Sequence, residues 1–186
     1  MKTNLIVPIV SLLAIGETCF GDVSLKVFDL ICEYKTNPIG IDVTQPRMSW
    51  KIGSSERDVQ QTAYHIRTAE SPDDLITAKN LHWETDNVKS DQSTHVAYSG
   101  PFLTSRQKIW WQVRVWDNKG NLSDWSEPAW WEMGLLKPED WVAGWVEPDL
   151  TEEEHGSNPC PMLRRQFEID REIKHASRLR HLPWSL

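Results

Sequence analysis

Hydrophobic and polar residues alternate with a period of two through the middle of the chain, which is the pattern of half-buried β-strands. The clearest case runs from Lys108 to Asp117, where Trp111, Val113 and Val115 share one parity. Successive side chains of a strand point to opposite faces of the sheet, so we expect these three residues to line a core. An Asn-Lys-Gly turn follows, and a second aromatic strand begins at Ala129.

The same alternation recurs between turns that are rich in glycine, proline and asparagine, and it predicts seven short strands. No long stretch has a helical period, although Ser71 is placed to cap one short helical turn. The sequence therefore predicts an all-β fold, a fibronectin type III or immunoglobulin-like β-sandwich over residues 24–136. The predicted strands cover residues 24–34, 45–52, 61–69, 81–85, 94–98, 108–117 and 129–135.

Parity also predicts which side chains of the first two strands face the core. In the second strand, Met48, Trp50 and Ile52 share one face. In the first strand, the more apolar of the two faces consists of Lys26, Phe28, Leu30, Cys32 and Tyr34, and we expect it to face the core.

The N-terminus has the pattern of a secretory signal peptide, which we expect to cover residues 1–21. Lys2 supplies a positive charge, and the apolar run 5–15 is too short to span a hydrocarbon core of about 30 Å. A buried N-terminal strand is the alternative, but Pro8 disfavours it. We therefore expect export to the periplasm or the extracellular space without a membrane span, with lipid anchoring at Cys19 as the alternative.

The net charge disfavours one class of partner. Acidic residues outnumber basic ones by 27 to 20, which disfavours nucleic acid because phosphates require a basic face.

After removal of residues 1–21, two cysteines remain, Cys32 and Cys160. These two residues either form one disulfide or stay as buried free thiols, and we favour the thiols.

Eleven tryptophans are a large excess for 186 residues. On the outward parity of strand 108–117, Arg114 lies diagonal to Trp110 and Trp116, and Trp125 follows just after the turn. We expect stacking of the guanidinium group on indole rings, which would stiffen the outer face. The alternative is an aromatic platform for sugars, with Trp110, Trp116 and Trp125 as the candidate carbohydrate-binding residues.

Groups that could carry catalysis are scarce. Asp73 and Asp74 are adjacent and diverge on a helical turn, and the acidic run 152–154 is typical of a solvated loop. Glycoside hydrolysis needs two carboxyl groups about 5–9.5 Å apart, and no spacing marks such a pair. The histidines lack metal-ligand spacing, and we expect His65 and His95 at the surface. The sequence predicts no catalytic residue, no metal and no cofactor.

Beyond the sandwich, residues 137–177 are expected to form a linker and the truncated start of a second β-domain. A fresh strand is predicted from Pro161 to Ile169, without downstream partners to complete a sheet. Residues 178–186 lack the alternation of polar and apolar residues that is typical of a strand, and we interpret them as a tail that is unrelated to the preceding domains.

Several ordered blocks of this sequence resemble the opening of the bacterial α-L-rhamnosidases of glycoside hydrolase family 78. The likeness covers roughly residues 30–177. The matching blocks are Cys32–Trp50, Gln61–Tyr64, Ser90–Ser93, Trp111–Asp117, Trp125–Ala129, Glu132–Leu136 and Trp141–Trp145.

The resemblance implies a fibronectin-III-like domain followed by a jelly-roll domain and an α/α-barrel, with inverting hydrolysis by two carboxylic residues of the barrel. No catalytic residue of that family falls on a position of this chain. We therefore expect a non-catalytic N-terminal fragment of an exported α-L-rhamnosidase-like protein, whose partner is a rhamnose-containing glycan or the missing catalytic domains. The alternative is a stand-alone carbohydrate-binding or protein-docking sandwich.

Overall fold

The structure is a computed structural model that describes residues 25–144, 146, 162–166 and 168–173. Its elements are strands except for one short α-helix and one 3₁₀ turn within that part of the chain. They are β1 (Lys26–Cys32), β2 (Ile39–Ile41), β3 (Arg47–Gly53), β4 (Gln61–Ala69), α1 (Pro72–Thr77), β5 (Trp83–Glu84), β6 (Val96–Ala97), β7 (Lys108–Asp117), β8 (Ala129–Met133) and the turn Pro138–Asp140.

The strands form two sheets, which confirms the predicted all-β sandwich. The smaller sheet has the order β1-β3-β6, and the larger has the order β2-β8-β7-β4-β5. All pairs are antiparallel except β2 with β8, which is parallel. β2 is not among the seven strands predicted from the sequence, because Pro38 precedes it and Gly40 lies within it. Gly40 adopts a φ of 82° that residues other than glycine rarely tolerate.

Tryptophan rings fill the space between the sheets. Trp50, Trp111 and Trp131 are at most 2% exposed. The predicted inward face of β7 is confirmed, because Trp111 and its two valine neighbours of the same parity are fully buried. Trp50 Nε1 donates to Gln61 Oε1 at 2.9 Å, so a buried hydrogen bond joins β3 of one sheet to β4 of the other.

The predicted inward face of β1 is wrong at its first two positions. Lys26 is exposed and Phe28 is 50% exposed, while Val27 is buried. The cause is a bulge: the pairing of β1 with β3 shifts between Phe28 and Ile31, and Asp29 has a φ of 53°. One extra residue reverses the parity of a strand, so the later positions return to the predicted face.

The predicted inward face of β3 is confirmed, whereas the predicted inward position of Tyr34 is wrong. Met48 and Trp50 are buried as predicted and Ile52 is half-buried. Tyr34, which parity placed inward, is 64% exposed because it lies in the turn after β1 with a φ of 65°.

Cys32 is a buried free thiol. Burial, and then the charge of Glu33, raises its pKa to about 12, so the thiolate form is scarce at neutral pH.

The chain divides into two compact units, Met1–Val142 and Ala143–Leu186. In the second unit, the described residues 162–166 and 168–173 contain no strand, contrary to the strand predicted from Pro161 to Ile169. A strand is stable only beside a partner that satisfies its edge. The predicted signal peptide, Cys19, Cys160, Pro161, Phe167 and residues 178–186 lie outside the described residues. No helix among the described residues is long and apolar enough to cross a membrane.

Candidate functional site

The outer face of the larger sheet concentrates polar and aromatic side chains. The pairing of β4 with β7 places His65 opposite Arg114 and Arg67 opposite Gln112. All four belong to the outward parity of their strands, yet His65, Arg67 and Gln112 are no more than 9% exposed. Something therefore covers the outer surface of the sheet at this point.

The cover is the ring of Trp125, which the segment 122–126 carries as it runs back along the edge of β7. Its two serines bind the strand through both the main chain and the side chain. The Ser123 and Ser126 amides each donate to a β7 carbonyl at 2.9 Å, to Val115 and Val113 respectively. The same two valine amides donate to the serine Oγ atoms at 3.0 and 3.2 Å. This double anchoring holds Trp125, which lies between the serines, over the sheet.

Trp125 stacks with two arginines. The guanidinium carbon of Arg67 lies 4.0 Å from the centre of the indole ring, and that of Arg114 lies 4.6 Å from it. Arg114 also lies 5.5 Å from the ring centre of Trp116. The expected stacking of Arg114 on indole rings is confirmed, and we call the set Trp116, Arg114, Trp125 and Arg67 the ladder.

Arg67 was missed as a member of the ladder. It lies on the outward parity of β4, opposite to that of Tyr64, Ile66 and Thr68, but only the register of β4 against β7 brings it to Trp125. Gln112 Oε1 accepts from Arg67 Nη2 at 3.0 Å and orients the guanidinium group. Burial, and then the positive charge of Arg114, lowers the pKa of Arg67.

The third tryptophan proposed for sugar binding lies outside the ladder. Trp110 forms a tilted pair with Trp130, the two ring centres being 6.2 Å apart. Lys108 Nζ lies 3.7 Å from the ring centre of Trp130 and 5.0 Å from that of Trp110. The structure thus brings Trp116 and Trp125 together and keeps Trp110 apart, and all three carry a cationic neighbour. Sugar binding by these residues stays a prediction.

His65 is buried, so its expected surface position is wrong, whereas His95 is exposed as expected. The ring of His65 packs edge-on against Trp125 with 5.0 Å between ring centres. Arg114 Nη2 lies 3.2 Å from His65 Nδ1. Because a guanidinium group can only donate, Nδ1 must accept, and the proton of the neutral ring lies on Nε2. Nε2 then donates to Glu84 Oε2 at 3.2 Å.

This proton arrangement bears on the metal-binding capacity of the face. Ligand atoms of His65, Glu84 and Asp86 lie within 4.8 Å of one another. A metal would need the lone pair of Nε2, and the ring would then have to donate from Nδ1. Arg114 already occupies Nδ1 as a donor and adds a positive charge beside the cluster. The arrangement therefore suits an oriented neutral imidazole and does not suit a bound cation.

The carboxylates of α1 behave as the sequence predicts. Asp73 is exposed, while the Asp74 carboxylate accepts from Ser71 Oγ at 2.7 Å and from Asn80 Nδ2 at 3.0 Å. Ser71 Oγ in turn accepts from the Asp74 amide at 3.1 Å, which confirms Ser71 as the helix cap. The two aspartates do not flank a common point. The acidic run 152–154 lies outside the described residues.

Acidification is expected to destabilise the domain through His65. Burial, and secondarily Arg114, lowers the pKa of His65 in the folded state, although the hydrogen bond to Glu84 opposes this. The unfolded chain, with an ordinary pKa near 6.5, therefore binds the proton first. The free energy of unfolding should fall between about pH 7 and pH 5, with a slope of at most about 1.4 kcal/mol per pH unit from this group. Urea titrations at several pH values measure it.

One substitution separates this effect from the titration of other groups. His65→Gln removes the titrating ring, and the slope of stability against pH in that window should flatten. Equal slopes in the parent chain and in His65→Gln would contradict the assignment. The carboxylates Glu33 and Asp74 affect stability only at a lower pH, because the pKa of each in the folded state is below its ordinary value.

Known proteins share this fold and sequence pattern. The family model described as "Rha78A-like, N-terminal immunoglobulin domain" matches residues 27–137. An α-L-rhamnosidase of Streptomyces avermitilis is 40% identical over 123 residues, which are 66% of this chain and 12% of that protein. An α-L-rhamnosidase of an Alteromonas species is 36% identical over 146 residues, which are 75% of this chain and 16% of that protein.

Solved structures agree with the sequence matches. The Streptomyces avermitilis α-L-rhamnosidase complexed with L-rhamnose has a TM-score of 0.63 at 39% identity, over 67% of this chain and 12% of that one. The α-L-rhamnosidase from Dictyoglumus thermophilum has a TM-score of 0.63 at 34% identity, over 66% and 14%. The present chain thus spans only 12–16% of the length of the curated relatives it matches. It belongs to the family of Rha78A-like N-terminal immunoglobulin domains.

Proposed function

We propose that this chain supplies the N-terminal, non-catalytic domain of an exported α-L-rhamnosidase-like glycoside hydrolase that acts on rhamnose-containing glycans. The observation that carries the proposal is the extent of the match. The family model describes an N-terminal immunoglobulin domain and covers residues 27–137, while the relatives are several times longer than this chain. The partner of the domain is then the catalytic part of such a hydrolase.

Three carboxyl groups of the described chain lack the property that a catalytic acid needs. A glycoside hydrolase needs one carboxyl group that holds a proton near neutral pH and a second one that is ionised. In the folded domain, hydrogen bonds from Arg47, Ser71 and Ser105 lower the pKa of three carboxyl groups and keep them ionised. The groups so affected are Glu33, Asp74 and Asp140.

The proposal also assigns the parts of the chain. Residues 24–136 form the domain, residues 137–177 lead into a following β-domain, and residues 1–21 are removed on export. Intact-mass measurement of the protein recovered from the periplasm or the medium tests the last point, since the mature chain should lack residues 1–21. A mass that includes the leader would contradict it, and added acyl mass on Cys19 would indicate a lipid anchor.

Two assays test the proposed role. The purified chain should not hydrolyse an aryl α-L-rhamnoside above the blank, with the Streptomyces avermitilis enzyme as the positive control. Grafting residues 27–137 in place of the matching domain of that enzyme should give a soluble, active chimera, whereas deleting that domain should not. Turnover by the isolated chain, or failure of the graft when the parent enzyme is active, would contradict the proposal.

A carbohydrate-binding role for the outer sheet face is the second candidate, and the partly exposed pair of Trp110 and Trp130 favours it. Binding of rhamnose or of a rhamnose-containing polysaccharide should change tryptophan fluorescence in a saturable way. The fluorescence change should be smaller in whichever of the variants Trp110→Ala, Trp116→Ala and Trp125→Ala lacks the ring that contacts the sugar. An unchanged spectrum throughout the titration would remove this candidate.

A further inference from the structure

A cleft opens beside β1, on the side of the sandwich where β1 faces the start of β8. Its volume is about 340 Å³, within the range of about 300–1,000 Å³ that is usual for small-molecule sites. The polar and aromatic residues that line it are Phe28, Asp29, Thr36, Asn37 and Glu127. None of them belongs to the ladder or to the pair of Trp110 and Trp130. We propose that this cleft binds one neutral pyranose ring of a glycan.

The bulge in β1 creates the aromatic part of the cleft. Because Asp29 adopts a φ of 53° and the parity of the strand reverses, Phe28 lies outside the core and is 50% exposed. Its ring lies against Gly53, where a β-carbon would sit only 3.1 Å from Cε1. The ring is thus backed by main chain and keeps half of its surface free. A flat apolar ring in this state can stack on the C–H face of a sugar.

The amide of Asn37 is oriented before any ligand arrives. Asn37 Oδ1 accepts from the main-chain amide of Trp130 at 3.0 Å, which settles which end of the amide group is oxygen. The Nδ2 group therefore remains as a donor. The residue has a φ of 47°, a conformation that asparagine tolerates better than most residues.

Two carboxylates supply acceptors at the same cleft. Asp29 Oδ2 accepts from Lys51 Nζ at 2.6 Å, which leaves its second oxygen available. Glu127 is exposed, and its carboxylate has no hydrogen-bond partner within the described part of the chain. Acceptors for hydroxyl protons, one fixed donor and an apolar ring are the groups that recognise a polyol.

The charge of the cleft selects among ligands. Asp29 and Glu127 repel an anion, so a uronic acid should bind less well than an uncharged sugar. Lys51 already neutralises one carboxylate and so weakens the cleft as a site for a divalent cation. A neutral sugar ring is the class that fits both facts. This property goes beyond the proposed role in a hydrolase, because it needs no catalytic domain.

Titration of the ¹⁵N-labelled chain with L-rhamnose, followed by amide chemical shifts, tests the site. Saturable shifts should centre on Phe28, Asp29, Asn37 and Ala129. A ligand of this size in an open cleft should bind with a dissociation constant on the order of 1–10 mM. Sodium glucuronate should bind about tenfold more weakly, because its carboxylate meets the charge of Glu127, which no cation of the cleft neutralises.

Substitutions then assign the shifts to the cleft. Asn37→Asp keeps the acceptor for the Trp130 amide but removes the Nδ2 donor, and Glu127→Ala removes an exposed acceptor without a partner to disturb. Each should weaken binding by about three- to tenfold, the effect of losing one hydrogen bond. Glu139→Ala, which removes an exposed carboxylate outside the cleft, is the matched control and should leave binding unchanged.

Three outcomes would overturn the proposal. One is the lack of a saturable shift at about 100 mM sugar, far above the expected constant. Another is shifts that centre on Trp110, Trp116 or Trp125. The third is saturation by calcium chloride without any response to sugar, which would make the cleft a cation site. None of these results alters the graft experiment with the Streptomyces avermitilis enzyme, so failure of this site and failure of the proposed role are distinguishable.

Discussion

Replacing Trp111 with alanine is expected to lower the free energy of unfolding of the domain by about 3–5 kcal/mol, which is most of the stability of a domain at the low end of the usual range of about 5–15 kcal/mol. Trp111 is fully buried in the centre of β7, between Thr68 of β4 and Ala129 of β8. The surrounding side chains are held by both sheets and can collapse only in part into the space left by the indole. Circular dichroism during urea unfolding measures the loss.

A milder pair of variants keeps this prediction testable if the alanine variant does not fold. Trp111→Phe and Trp50→Phe remove the same number of atoms from two fully buried rings. Trp111 Nε1 has no hydrogen-bond partner among the described residues, whereas Trp50 Nε1 donates to Gln61. Trp50→Phe should therefore be the more destabilising by about 1–3 kcal/mol, because it leaves the buried Gln61 oxygen unsatisfied. Equal losses would contradict the importance of the bond between the sheets.

The contrast between β7 and β1 shows what alternation can and cannot predict. β7 has ten residues without a bulge, so its parity holds from Lys108 to Asp117 and its core face was predicted correctly. In β1 the conformation of Asp29 reverses the parity. Aspartate tolerates a positive φ better than most residues but also occurs in regular strands, so its presence alone does not predict the bulge. The fit of β1 against β3 decides it.

The outer face of the larger sheet was predictable only in part. Arg114, Trp116 and Trp125 are close in sequence, so parity and a short turn suffice to bring them together. The partners from β4, His65 and Arg67, depend on a register that links residues more than forty positions apart. Their burial depends in addition on the segment that carries Trp125, whose course over the sheet is fixed by serine contacts with β7. Long-range pairing of this kind is not encoded in any local period.

Replacing Trp125 with alanine is expected to lower the free energy of unfolding by about 2–4 kcal/mol. The indole stacks with both Arg67 and Arg114, and each such contact contributes roughly 0.5–2 kcal/mol, more where the cation is desolvated. Arg67 is only 8% exposed, so without the ring a largely buried guanidinium group would retain Gln112 but lose its aromatic neighbour. Urea is the denaturant of choice, because guanidinium ions compete for the same rings.

Trp116→Ala is the matched control at the other end of the ladder. Among the described residues, Trp116 has a cationic contact with Arg114 alone, at 5.5 Å, whereas Trp125 contacts two arginines and the ring of His65. Trp116→Ala should therefore lower the free energy of unfolding by no more than about half as much as Trp125→Ala. Only Trp125→Ala should also change the dependence of stability on pH, because it admits water to the imidazole of His65. Equal losses in the two variants, or an unchanged pH dependence in Trp125→Ala, would show that the indole of Trp125 does not hold the face together.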